Sequence, residues 1–124
     1  MHRCTDLFPG QFCLTRILIS ERARKDLGKY SGPEFRTKLE RWARSGLWNY
    51  LGKDFPLRSE GGGVFRLADR SSSVRVCGFF ESGNVNGDRF IAVTVFKKKG
   101  MKFPTGLIEE ITGIRDRQEW RVED

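Results

Sequence analysis

Three short runs rich in β-branched and aromatic residues follow one another closely, and their spacing constrains the fold more than any other feature of the chain. They span residues 64–69, 74–80 and 90–96. Runs of this composition, separated by polar or glycine-containing turns, are typical of β-strands. The second turn contains Asn86-Gly87, a dipeptide favoured in β-hairpins. Because both connections are short, we expect the three strands to form an antiparallel meander.

A strand and a helical hairpin are predicted ahead of the meander. Residues 12–19 predict a strand, and Ser20 is a good N-cap for a helix over residues 21–27. Pro33 begins a second helix, because proline is favoured at the first helical position, and Gly46 ends it. The second helix has one apolar stripe, formed by Phe35, Leu39, Trp42 and Ala43.

The remaining segments complete the predicted order. Residues 1–11 are expected to be an N-terminal extension or a short edge element, and residues 49–63 a loop. Thr105 is expected to cap a final helix, whose inner stripe contains Leu107, Ile111 and Ile114. The sequence therefore predicts a single α+β domain over residues 1–124. Its order is β-α-α-β-β-β-α, with a small, mainly antiparallel sheet and the helical hairpin on one face.

Composition restricts the partners and the compartment. The chain carries 23 Lys and Arg against 16 Asp and Glu, a net charge of +7, which favours a polyanionic partner such as nucleic acid, the ribosome or an acidic protein. Three cysteines with no CxxC pair form neither a disulfide framework nor a zinc site, and we expect no metal or cofactor. No segment resembles a secretory signal or a membrane span, so we expect a cytoplasmic protein.

Cationic side chains lie on successive predicted strands. Arg66 alternates with Phe65 and Leu67 and so faces the opposite side of its strand, and Arg75 lies inside the next strand, where we expect it to be exposed. The last strand continues into Lys97, Lys98 and Lys99, followed by Lys102. Because side chains alternate along a strand, Lys98 points to one face of the sheet and Lys97 and Lys99 point to the other. Either Lys98, or Lys97 with Lys99, can therefore join the arginines, but not all three. Such a surface suits phosphate groups.

These motifs together resemble the RelE/ParE toxin superfamily, most closely its phage-derived HigB-like branch. The resemblance covers roughly residues 12–117. The first motif, residues 63–67, is a glycine followed by a strand reading Val-Phe-Arg-Leu. The second, residues 74–80, reads Val-Arg-Val-Cys-Gly-Phe-Phe. The third, residues 93–99, reads Val-Thr-Val-Phe-Lys-Lys-Lys and is followed after a gap by Phe103-Pro104.

The resemblance implies the toxin of a type II toxin–antitoxin pair, with a neighbouring acidic antitoxin as partner. Such proteins enter the ribosomal A site and cut mRNA by a metal-independent attack of the 2′-OH on the adjacent phosphate. Arg75 aligns with the strand arginine that the family uses on the scissile phosphate, and Arg66 with its basic residue on the preceding strand. Lys98 and Lys99 are candidate phosphate ligands or acids. The candidate RNA-binding residues are Lys53, Arg58, Lys97, Lys102 and Phe103.

One departure from the family pattern keeps other functions open. Several members carry Tyr, His or Glu near the start of the last helix, where this chain has Phe103, which can stack on a base but cannot transfer a proton. A base would then be a lysine, Asp69 or Glu81. The alternatives to an endoribonuclease are a toxin that poisons DNA gyrase and a non-catalytic RNA-binding protein on the same fold.

Overall fold

The computed structural model describes residues 1–100 and 103–123 of the chain. Within them, seven strands form one sheet with three α-helices and a short 3₁₀ helix, Leu47–Tyr50. The strands are β1 (His2–Asp6), β2 (Arg16–Ser20), β3 (Leu57–Gly61), β4 (Val64–Ala68), β5 (Val74–Phe80), β6 (Arg89–Lys97) and β7 (Trp120–Val122). The helices are α1 (Glu21–Tyr30), α2 (Pro33–Ser45) and α3 (Leu107–Asp116).

The strands lie in the order β3-β4-β5-β6-β2-β1-β7. The predicted meander is confirmed, because β4 pairs antiparallel with β5 and β5 pairs antiparallel with β6. Two pairings are parallel, β2 with β6 and β1 with β7, so the sheet is mixed. The predicted α+β class is therefore confirmed. No helix in the described part of the chain is long and apolar enough to cross a bilayer.

The sheet separates two apolar cores. On one face, α1 and α2 bury a core that includes Leu27, Leu39 and Trp42 against alternate strand residues such as Leu67 and Val76. On the other face, α3 covers a smaller core with the side chains of its predicted inner stripe, Leu107, Ile111 and Ile114. The helical hairpin thus lies on one face, as expected. The opposite face of β4, β5 and β6 is covered only in part by α3, and the candidate site lies there.

The ends of the helices follow local chemistry, with two differences from expectation. The Ser20 hydroxyl accepts a hydrogen bond from the Ala23 amide at the start of α1, as predicted. However, α1 continues past its predicted end at residue 27 to Tyr30, because Gly28, the residue expected to stop it, does not adopt the left-handed conformation that would end the helix. Gly106, in the left-handed region at φ 81°, caps α3 in place of Thr105. Pro33 begins α2 as predicted.

Three strands add to the predicted order. Residues 1–11, expected to be an extension or edge element, contribute β1, which pairs on both sides with β2 and β7. The predicted loop over residues 49–63 contains β3, which pairs with β4 through an antiparallel register that sets Arg58 opposite Arg66. Strand β3 reads Leu-Arg-Ser-Glu-Gly and lacks the β-branched residues that signal a strand. Partners from elsewhere in the sheet stabilise these short strands.

Candidate functional site

A small cavity lies at the β3 side of the sheet, on the face that α3 covers in part. Its volume is about 80 Å³, enough for a few water molecules or one small anion. Cationic and aromatic side chains dominate its wall, with one carboxylate. The lining residues are Arg58, Glu60, Arg66, Arg75, Phe96, Lys98 and Phe103. Five of these seven residues were predicted from the sequence as cationic or aromatic site residues, and Glu60 and Phe96 were not.

Strand pairing brings Arg66 and Arg75 to the same face. Arg66 lies opposite Cys77, and Arg75 lies opposite Ala68, so the two arginines occupy alternating positions of neighbouring strands. Both are buried, with Arg66 5% exposed and Arg75 7% exposed. The expectation that Arg75 is an exposed strand residue is therefore wrong. Neighbouring segments, including the loop that contains Phe55, cover this face of the strand, which side-chain alternation alone does not predict to be buried.

The two guanidinium groups have few acceptors for their donors. Nη1 of Arg75 donates to the carbonyl oxygens of Ser72 at 2.7 Å and Val74 at 3.1 Å. Nε of Arg66 lies 3.5 Å from Oε1 of Glu60, and Nη1 of Arg66 is buried with no hydrogen-bond partner among the described residues. A buried donor without an acceptor is costly, and an anion in the cavity would satisfy it.

The electrostatics of the pair also favour an anion. Burial lowers the pKa of the Arg66 guanidinium, and the neighbouring Arg75 charge lowers it further. Burial likewise lowers the pKa of Arg75. Arginine nonetheless stays protonated in proteins, so this buried pair contributes two positive charges that water solvates poorly. A phosphate group would supply the missing counter-charge and accept paired N–H donors from a guanidinium.

The orientation of the lysine run, which the sequence left open, is resolved at the cavity. Lys98 lines it together with Phe96, the neighbour of Arg75 on β6. Lys97 is exposed and pairs with Val74, whose side chain belongs to the core under the helical hairpin. Lys99, a candidate phosphate ligand or acid, is exposed and does not line the cavity, so of the two sets left open by the sequence it is Lys98 that joins the arginines. Lys99 lies beyond the end of β6, where pairing no longer holds the chain against the sheet.

The predicted RNA-binding residues divide into three groups. Arg58 and Phe103 line the cavity, and the Phe103 ring packs edge-to-face on Phe96 with centroids 5.6 Å apart. Lys53 is exposed in the loop before β3 and lies outside the cavity lining. Lys102 lies outside the described residues. The cavity thus has an aromatic wall beside its cationic base.

Glu60 is the charged residue of the cavity lining that was not predicted from the sequence. Its carboxylate is 11% exposed, and Oε1 lies 3.4 Å from Nε of Arg58 and 3.5 Å from Nε of Arg66. The glycines at 61, 62 and 63 all have positive φ, and residues 62 and 63 form the turn from the end of β3 into β4. Interpreting that triplet as a hairpin turn, rather than as a loop, would have placed Glu60 on a strand beside Arg66.

The two acidic residues considered as possible bases are engaged elsewhere. Asp69 forms an ion pair with Lys38 of α2 and accepts a hydrogen bond from Ser71, and these contacts hold the pKa of Asp69 below its usual value. Glu81 directly follows the last residue of β5, and its Oε2 lies 3.2 Å from Nε of Arg89. Neither lines the cavity. The carboxylate that could act at the site is therefore Glu60.

An aromatic ring packs against the buried arginines from outside the cavity. The Phe55 centroid lies 4.9 Å from the guanidinium carbon of Arg66, 5.5 Å from that of Arg75 and 5.3 Å from that of Arg70. These distances are within the range of cation–π interactions. The ring therefore adds partial negative charge next to groups that are short of anionic neighbours.

Comparison of the chain with protein-family models, with curated proteins and with solved structures found no match to any of them.

Proposed function

We propose that the chain is the toxin of a type II toxin–antitoxin system, with a RelE-like fold, and that it acts in the cytoplasm as a ribosome-dependent mRNA endoribonuclease. The observation that carries this proposal is the buried pair Arg66 and Arg75 beside Lys98, with a buried Arg66 donor that has no acceptor among the described residues. This cluster has the charge and the donors that a phosphodiester requires.

The cleavage proposed here needs three chemical contributions. The 2′-OH must lose its proton, the phosphate must be stabilised as negative charge builds up on it, and the leaving 5′-oxygen must gain a proton. The 2′-oxygen forms the new bond to phosphorus, and the bond to the 5′-oxygen breaks, leaving a 2′,3′-cyclic phosphate. Arg66 and Arg75 stabilise the developing charge. Two guanidinium groups in a poorly solvated cavity interact with it more strongly than they would in water.

Proton transfer is assigned to Glu60 and Lys98. Glu60 provides the carboxylate of the cavity lining and lies beside Arg66, so it is suited to accept the 2′-OH proton. Lys98 provides an ammonium group in the same lining and is suited to protonate the 5′-oxygen. Glu60 and Lys98 would thus replace the Tyr, His or Glu that several family members carry near the start of the last helix, where this chain has Phe103.

The aromatic wall supports a substrate with unpaired bases. Phe96 and Phe103 are both half-buried, and both line the cavity. Stacking on aromatic side chains is a common way of holding single-stranded RNA bases. A base stacked there would hold the adjacent phosphate near the arginines.

A non-catalytic RNA-binding protein is the second candidate function. The ion pairs that join Glu60 to both Arg58 and Arg66 favour it, because a carboxylate held by two cations is a weak proton acceptor. In that case the same cavity would bind an RNA phosphate without cutting it. A gyrase inhibitor has no need of this buried cationic cluster.

Induced expression in a bacterial host tests the proposal. Radiolabelled methionine and thymidine report protein and DNA synthesis separately during the first minutes after induction. We expect methionine incorporation to stop while thymidine incorporation continues. Early loss of thymidine incorporation would instead favour gyrase. The Arg66→Met variant provides the matched control and is expected to leave both labels unaffected.

A further inference from the structure

Phe55 has an unusual environment for a half-buried aromatic residue. It lies in the loop before β3 and belongs to neither of the two apolar cores. Its ring instead contacts the guanidinium groups of Arg66, Arg70 and Arg75, with all three guanidinium carbons within 5.5 Å of the centroid. Packing in those two cores does not account for this placement, whereas cation–π contact with three guanidinium groups does.

The ring addresses a specific electrostatic problem of the site. Arg66 and Arg75 are like charges that share a buried region, and Glu60 is the carboxylate beside them. The negative face of an aromatic ring attracts cations without neutralising them. A second carboxylate in the same place would also hold the arginines, but it would repel an incoming phosphate. Phenylalanine holds them and preserves the positive charge of the cavity.

The backbone around Phe55 is fixed against the sheet. The carbonyl oxygen of Pro56 accepts a hydrogen bond from the Ala68 amide at 2.9 Å, at the end of β4. The Gly52 amide donates to the carbonyl oxygen of Leu57 at 2.9 Å. These two bonds hold the loop on either side of Phe55, so the ring is presented to the arginines by a fixed segment.

We propose that Phe55 is a positioning residue that holds the Arg66 and Arg75 guanidinium groups in place for a phosphate of single-stranded RNA. Phe55 does not line the cavity, so it acts through the arginines and not by touching the substrate. The RNA part of this inference rests on the proposed function. The positioning part concerns the free protein and can be tested without RNA.

The first measurement is made on the full chain without ligand. Protons over an aromatic face shift upfield, so the side-chain Nε–Hε NMR signals of Arg66 and Arg75 report their stacking on Phe55. Arg66→Lys and Arg75→Lys identify the two signals. We expect Phe55→Leu to move or broaden both signals, and Phe55→Tyr to retain them because tyrosine keeps the ring. Unchanged signals in the leucine variant, or equal loss in the tyrosine variant, would overturn the inference.

The second measurement is the binding of a short single-stranded RNA by fluorescence anisotropy. We expect Phe55→Leu to weaken binding about tenfold and Phe55→Tyr to stay within about twofold of the wild type. Phe12→Leu is the matched control, because Phe12 is 80% exposed and does not line the cavity. Full binding by folded Phe55→Leu would overturn the functional role. If the wild type itself binds no RNA, the proposed function fails, and the NMR comparison alone decides the positioning role.

Discussion

At the scale of single residues, the site depends on two arginines that are buried without enough acceptors. Arg66 bears an energetic cost, because its Nη1 has no hydrogen-bond partner among the described residues and the like charge of Arg75 lies near it. Burying charge that is only partly paired costs stability. Sites that bind a charged ligand commonly carry such a cost when the ligand is absent.

Because burying Arg66 costs stability, we expect a substitution there to weaken RNA binding without destabilising the fold. Methionine fills a similar volume without charge, and Glu60 keeps its ion pair with Arg58. We expect Arg66→Met to leave the free energy of unfolding unchanged or to raise it by about 1 kcal/mol, measured by urea denaturation. RNA binding should weaken at least about tenfold. Arg121→Met, an exposed change on β7, should alter neither quantity. A loss of more than about 2 kcal/mol would contradict the account.

At the scale of elements, an ion pair joins the helical hairpin to the meander. Lys38 of α2 pairs with Asp69, which directly follows β4, and Ser71 donates to the same carboxylate. These hydrogen bonds depress the pKa of Asp69 in the folded state. The stabilisation is therefore fully present above the ordinary aspartate pKa of about 3.9 and is lost as the pH falls through the lower folded-state pKa.

The pH dependence of Asp69→Asn tests this linkage. At pH 7 the variant should be less stable than the wild type by about 0.5–1 kcal/mol, because the pair is partly exposed. As the pH falls below the folded-state pKa, the two proteins should converge. Urea denaturation at pH 7 and at a pH below the folded-state pKa measures the difference in free energy of unfolding between the two proteins. A gap that stays constant with pH would show that the side-chain amide, and not the missing charge, causes the effect.

The elements also show which parts of the fold could be predicted from the sequence. The meander, the α2 start at Pro33 and the inner stripe of α3 follow from local patterns that the structure retains. Strands β1 and β7 do not, because they pair with each other from opposite ends of the chain, and β3 does not, because its residues give little strand signal although its partner β4 follows directly. The pairing of β3 with β4 carries Glu60 into the site, and this is why the sequence analysis missed it.

The burial of the site side chains was the second feature that local sequence patterns did not predict. Side-chain alternation correctly predicted that Arg66 points to the face of β4 away from Phe65 and Leu67. The three cations of the cavity, Arg66, Arg75 and Lys98, were also among the predicted site residues. However, the covering of that face by Phe55 and by the aromatic wall depends on long-range contacts. Sequence alternation separates the two faces of a strand without indicating what packs on each.

At the scale of the whole molecule, the net charge of +7 acts over a longer range than the cavity. Lys97 and Lys99 are exposed and do not line the cavity, so we expect them to attract RNA to the protein surface rather than to hold its phosphate in the cavity. Salt screens such an effect, whereas interactions inside a buried cavity are screened much less. The exposed lysines and the buried cluster are thus distinguishable by ionic strength.

Lys97→Gln combined with Lys99→Gln should weaken RNA binding at low salt and have little effect at high salt. The slope of log affinity against log salt concentration should become shallower by about 1.4, which is about 0.7 for each phosphate that the protein no longer neutralises. The kcat of RNA cleavage should not change. Lys98→Gln is the comparison variant and should lower kcat. A fall in kcat for the double variant would show that Lys97 or Lys99 takes part in catalysis.

Primer extension on a reporter mRNA, after induction of wild type or Arg75→Lys in a bacterial host, tests whether the protein cuts mRNA and whether the Arg75 guanidinium group is needed for cleavage. Lysine keeps the charge at Arg75 but lacks the paired donors of the guanidinium group. We expect new 5′ ends in register with the reading frame for the wild type and none for Arg75→Lys. Growth arrest with intact mRNA, or the same 5′ ends with the variant, would contradict this expectation.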